Sequence, residues 1–424
     1  MPDTETKQEL LSEVTSFYLS SGDYNGKPVH SLERKYGSEQ LKNIVKELLS
    51  EGKLCVVFGD YHPNPHIKAL ESEPVKEQLE KLDSDKFMHA CIYPTTDHLT
   101  TVVNPKDFEG RPFELRLALG ETQLSFLNFD LAVLEIYRND PRYYYKYYDT
   151  YGYISITDEY FETHKMRESD QILLETFGIS FDKDGNAYVA VFLRYLSNLT
   201  AEHQQIWDSK RVETDAHLHP DYYRTSILGE WPERISLYEA VLMEMTAINE
   251  IANVIGRPAF FRNDYSGEHR PREFGYLLRS TLKEYNDFIH LLDKMFSENI
   301  NRDFFQGEIT LESEVLRPDG KIEVRPKGSL QILEDWISSQ FRAENGTDIE
   351  EMFKTFRKVR KLRQKPAHSV RENTFDQKFF KDQGELMINV YRAVKTLRLI
   401  LHLYPGASSV QIDRHLADGQ IWSV

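Results

Sequence analysis

Between residues 274 and 404 the apolar side chains recur at helical spacing in four successive stretches, and this pattern constrains the fold more than any other feature of the chain. Leu277, Leu278, Leu282, Tyr285, Ile289, Leu292 and Phe296 mark one stripe over 274–296. Ile332, Leu333, Trp336 and Ile337 mark a second over 330–341, with Ser329 as its cap. Met352, Phe353, Phe356 and Val359 mark a third, and Phe379, Leu386, Met387, Val390, Tyr391, Val394, Leu397 and Leu401 a fourth that reaches about residue 403. Spacing of three and four places each set on one face of a helix, and a face that apolar has to be covered by another. Four such helices predict a bundle. Thr347 with Glu350, and Thr374 with Gln377, have capping-box spacing at the starts of the third and fourth helices. Pro366 ends the third, because the residue before a proline avoids the α region. A hairpin over 309–315 and 321–325, turning at Pro318-Asp319-Gly320, interrupts the series.

A chain of 424 residues exceeds one ordinary hydrophobic core, so the fold class expected is multi-domain α+β. Residues 1–62 read as a winged-helix-like module. Leu10, Leu11, Val14, Phe17 and Tyr18 form one helical face, 29–36 a short helix, and Leu41, Ile44, Val45, Leu48 and Leu49 the stripe of a third, before a strand at 54–58. That third helix would turn Lys42 and Lys46 outward, but Glu39 and Glu47 balance them. A protein-interaction or structural role is therefore expected ahead of DNA binding through this module. Residues 63–86 read as a polar linker helix. Residues 87–256 make a mixed α/β middle domain, with strand-like runs at 89–93, 113–119 and 153–156, helical spacing over 188–199, and a long amphipathic helix over 235–255 that closes it at Gly256. The helical domain covers 272–404, and 405–424 is a C-terminal tail.

Forty per cent apolar and 28 % charged residues is the composition of a folded chain rather than a disordered one. The cysteines are Cys55 and Cys91, which supply neither a disulfide framework nor a thiolate zinc site, so a reducing compartment is expected. The start, Met1-Pro2-Asp3-Thr4-Glu5, lacks a basic stretch followed by an apolar one, and no window approaches 18 consecutive apolar residues. A cytoplasmic location with no membrane partner is the expectation.

The formal charge of −16 disfavours a nucleic-acid partner, but its distribution is uneven. From Lys354 to Lys381 ten basic residues stand against two acidic ones, a window of about +8. Within it Arg363 and His368 flank four residues, at a helix end and a proline. Histidine alone has an unperturbed pKa, about 6.5, near neutrality, and a guanidinium can hold a phosphoryl oxygen bidentately. Two other features are candidates. Asp215, His217 and His219 alternate and could ligate zinc or manganese from one face of a strand, making a metal-dependent hydrolase, although Pro220 fits a polar surface loop better. His62 and His66 are a weaker version of the same pattern. The run 143–148, with five tyrosines, could stack bases, but alternation in a strand would send half of the rings inward.

An Arg-x-x-x-x-His motif between the third and fourth helices of a bundle, worded here Leu362-Arg363-Gln364-Lys365-Pro366-Ala367-His368, resembles the HEPN superfamily of ribonucleases and nucleotide-processing toxins. The resemblance covers residues 274–404. It implies that Arg363 stands for the family's catalytic arginine, His368 for its histidine and Gln364 for its polar helper. The activity implied is a metal-independent endoribonuclease, a toxin or defence effector, needing no cofactor and paired with a second copy as a homodimer. His368 would move the proton of a ribose 2′-hydroxyl or the leaving oxygen while Arg363 stabilises charge on the phosphoryl oxygens, leaving a 2′,3′-cyclic phosphate. Lys354, Arg357, Lys358, Arg360, Lys361, Lys365 and Arg371 would hold the RNA backbone. The alternative within the same resemblance is a non-catalytic adaptor or regulator that binds nucleic acid, a nucleotide or a protein.

Overall fold

The structure, a computed structural model, describes residues 4–162, 167–341, 347–364 and 372–422, and the chain divides into two units. The first comprises 1–145 and 153–218, the second 146–152 and 219–424. The class is mixed α and β. Among the described residues no helix is long and apolar enough to cross a membrane.

In the first unit the helices Thr4–Ser20, Val29–Tyr36 and Ser38–Ser50 bury Leu10, Val14, Leu32, Leu41, Ile44, Val45 and Leu48 against one another. Gly37, at φ 73°, separates the last two, a backbone conformation that an L side chain adopts only under strain. A three-stranded antiparallel sheet completes this part, in the order Lys27–Pro28, Cys91–Pro94, Leu54–Val57. The expected linker helix is shorter than its polar pattern suggests. Helix covers only Val75–Lys81, and Leu79 and Leu82 pack on the apolar cluster below it. The buried Gln78 side chain accepts the Val56 N–H at 2.8 Å, which ties this segment to the sheet.

The first unit also carries a larger sheet, with Leu173–Phe181, Ala187–Phe192 and Phe126–Phe129 at its centre in antiparallel register. Burial alternates along Tyr143–Tyr147, with Tyr143, Tyr145 and Tyr147 inside, as expected of a half-buried strand. Two stretches differ from the sequence expectation. The run 113–119 is helical, Pro112–Ala118, because Pro112 occupies the first helical position and Phe113 and Leu117 share one face. Residues 188–199 are not continuously helical but form the strand Ala187–Phe192 followed by the short helix Leu193–Ser197.

The second unit is built on one apolar core shared by Leu237–Val254, Leu282–Met295, Ser329–Gln340, Thr347–Gln364 and Lys378–His402. The helix assigned by its sequence to the middle domain, Leu237–Val254, belongs here, because its stripe of Val241, Leu242, Met245, Ile248 and Ile251 is buried in this core. It is joined to Lys378–His402 by a buried pair: Arg398 donates to Glu244 through Nε at 2.6 Å and Nη2 at 3.1 Å. The described part of the expected tail, 405–422, is also packed in this unit. Ala407 and Leu416 are buried, and Trp422 donates to Asp221 at 2.5 Å.

The stretch 274–281 departs from the expected long helix. Helix starts only at Leu282, capped by Thr281, although Phe274, Leu277 and Leu278 are buried as their spacing requires. Two side chains satisfy the backbone instead. The buried Gln383 accepts from Leu277 N at 3.0 Å and donates to Gly275 O at 2.8 Å, and Glu284 accepts from Leu278 N and Arg279 N. The hairpin forms as Glu312–Leu316 and Ile322–Pro326. Ser329 does not cap its own helix: Gly328 holds the cap position, and the Ser329 hydroxyl donates to Ser297 O. At the start of Lys378–His402, Asp376 rather than Thr374 accepts the first N–H.

Candidate functional site

Helix Thr347–Gln364 turns Met352, Phe353, Phe356 and Val359 into the core, so its opposite face and last turn carry the charge. Arg363 lies in that last turn with its side chain 29 % exposed. Its Nη1 donates to Asp293 Oδ2 at 2.6 Å and to Glu298 Oε1. Those hydrogen bonds, Glu298 first and Asp293 second, raise an already high pKa and keep the guanidinium charged. Nε and Nη2, the other edge of the fork, donate to no described residue.

The Asp293 side chain is fully buried, and it also faces Arg360, whose Nε stands 3.4 Å from Oδ1. Asp293 lies four residues after Ile289 and three before Phe296, on the apolar face of Leu282–Met295. A carboxylate in such a position is seldom found unpaired, and here two arginines one helical turn apart converge on it. Asp293 and Glu298 lie outside the basic motif that singles out Arg363 in the sequence. The available signal was an acid on an otherwise apolar stripe.

The other expected site residues fall in three groups. Lys354 pairs with Glu351 at 2.9 Å and Arg357 with Glu334, so these cations are engaged within the chain. Lys358 and Lys361 are exposed and have no ion-pair partner among the described residues, and Gln364 is exposed at the helix end. Lys365, His368 and Arg371 lie outside the described residues.

The metal alternative receives no geometric help. Asp215 and His217 are exposed in the first unit. His219 is buried in the second, where its Nδ1 accepts the Asp221 N–H at 3.2 Å and its ring meets Trp422 edge-on. His62 and His66 use Nδ1 toward Asn64 O and Cys91 Sγ. Among the described residues no three His, Cys, Asp or Glu side chains are grouped to hold a metal ion. Comparison with family models, curated proteins and solved structures finds no match to the chain.

Proposed function

We propose that the second unit is a HEPN-like helical domain that cleaves RNA without a metal, with Arg363 stabilising the phosphoryl oxygens and His368 transferring the proton. One observation carries the reading: Arg363 is anchored through Nη1 on a buried carboxylate while its Nε and Nη2 donate to no described residue. A phosphoryl oxygen pair is the natural partner of such an edge, and an anchored donor loses little freedom when it binds. Lys358 and Lys361 on the same helix would supply backbone contacts. A single motif provides one histidine for two proton transfers, so the active form is a homodimer that pairs two motifs.

A non-catalytic adaptor is the second reading, and a specific observation favours it. Lys354, Arg357, Arg360 and Arg363 are already ion paired within the chain, which lowers the charge available to RNA. The N-terminal helices and their sheet order support a winged-helix-like module. Lys42 in its third helix lies 3.4 Å from Asp83, which fits protein interaction better than DNA reading.

The test is incubation of mixed RNA with the wild type and with His368→Ala, both in EDTA. Wild type is expected to yield 2′,3′-cyclic phosphate ends and the variant none. Cleavage that survives in the variant removes the assignment, and cleavage lost on adding EDTA removes the metal-independent chemistry. Protein that never cleaves leaves the adaptor.

A further inference from the structure

Beside the Arg363 cluster lies a cleft of about 420 Å³, lined by Arg262, Arg302, Lys327, Arg360, Ser297, Glu298 and the backbone at Gly328 and Ser329. Its charge is unusual for so acidic a chain. Arg262 and Arg302 have no carboxylate partner among the described residues, Lys327 pairs with Asp335 at 2.7 Å, and Arg360 shares Asp293 with Arg363. Five cations thus face three carboxylates, and Glu298, the one acid lining the cleft, is engaged by Arg363.

The cations are held in place. Arg302 donates to Lys327 O at 2.9 Å and Leu311 O at 3.0 Å, which fixes its side chain without neutralising it. Arg262 donates to Glu298 O. Helix Ser329–Gln340 begins at the cleft with no side-chain cap, because Gly328 holds the cap position, and the Ser329 hydroxyl donates to Ser297 O. Its first-turn N–H groups and the positive end of its dipole therefore have no carboxylate or hydroxyl acceptor from the cap. Ser297, a lining residue that is 1 % exposed, also carries a hydroxyl with no hydrogen-bond partner among the described residues. Buried hydroxyls are seldom left so.

We infer that this cleft is a binding site for a phosphoryl group, with Arg262, Lys327 and Arg360 as charge donors and the first turn of Ser329–Gln340 as amide donors. Clustered cations at an uncapped helix N-terminus favour a multiply charged oxyanion over a carboxylate, and the volume is large enough for a phosphate ester. The ester is either an RNA backbone phosphate or the phosphate of a free nucleotide. The inference does not require Arg363 to be catalytic.

The probes are inorganic pyrophosphate, titrated calorimetrically into the full chain, and a short fluorescein-labelled single-stranded RNA followed by anisotropy. Pyrophosphate is expected to bind, and Arg262→Gln and Lys327→Gln are each expected to weaken it about tenfold, as befits the loss of one charge-assisted hydrogen bond. Lys321→Gln, on the exposed hairpin, is the charge-matched control and should bind as wild type does. Displacement of the RNA by pyrophosphate identifies the RNA backbone as the source, and bound pyrophosphate without displacement identifies a free nucleotide. Either result supports the site, whereas no binding, or equal binding by wild type and an Arg262→Gln/Lys327→Gln double variant with native circular dichroism, overturns it. His368→Ala protein should keep its pyrophosphate affinity, so a failed ribonuclease assay with this binding intact rejects the catalytic reading alone.

Discussion

Two arginines in the second unit meet carboxylates in different ways. Arg398 is buried at 6 % exposure and presents Nε and Nη2 to both oxygens of Glu244, itself fully buried, so that the pair is closed to everything else. Arg363 uses only Nη1, on Asp293 and Glu298, and stays 29 % exposed at a helix end. Both arrangements keep a buried carboxylate from being left alone, which in a low-dielectric core would cost several kcal/mol. Only the second leaves part of a fixed cation facing outward. Burial of an arginine's partner is therefore a poor guide to whether the arginine is merely structural; the unused donors decide.

The difference can be broken experimentally. The largest effect is expected for Glu244→Ala, which leaves Arg398 charged and unpaired among Val241, Leu397 and their neighbours. Loss of about 3–5 kcal/mol of unfolding free energy is expected in guanidinium titrations followed by tryptophan fluorescence, and Glu244→Leu with Arg398→Met together should recover most of it. Arg363→Lys comes next. A lysine can still reach Asp293 and Glu298 as a point charge but has no second edge, so unfolding should shift by less than about 1 kcal/mol while RNA cleavage falls about 100-fold, equivalent to roughly 2.7 kcal/mol. If cleavage is unchanged, the free edge has no catalytic part. Smallest are Lys358→Ala and Lys361→Ala. Each should weaken RNA binding only several-fold, leave stability unchanged, and lower the slope of log affinity against log salt by about one. An unchanged slope in both removes the helix face from the proposed RNA contacts.

Much of the second unit could be read in the residues. The stripes of Thr347–Gln364 and Lys378–His402 specify which faces are buried, because apolar periodicity is a local property of the chain. Elsewhere periodicity was ambiguous. Phe113, Leu115, Leu117 and Leu119 alternate like a strand, yet Phe113 and Leu117 are also one helical turn apart, and Pro112 tips the balance. Over 274–281 the apolar spacing was helical but the backbone is not, since Gln383 and Glu284, distant in sequence or on the next helix, take its N–H groups. Likewise the Leu237–Val254 stripe announced a buried helix without saying which core would bury it.

The candidate site divides along the same line. That Arg363 ends a basic helix followed by a proline is written in the sequence, for helix ends and charge windows depend on neighbours a few positions away. Which cations are occupied is not. Asp293 stands 70 residues from Arg363, and the cleft joins Arg262, Arg302, Lys327 and Arg360 from separate segments. Hydrogen bonds act over about 3 Å, so only the packing of Leu282–Met295 against Thr347–Gln364 could decide that Nη1 is anchored while Nε and Nη2 meet no described residue.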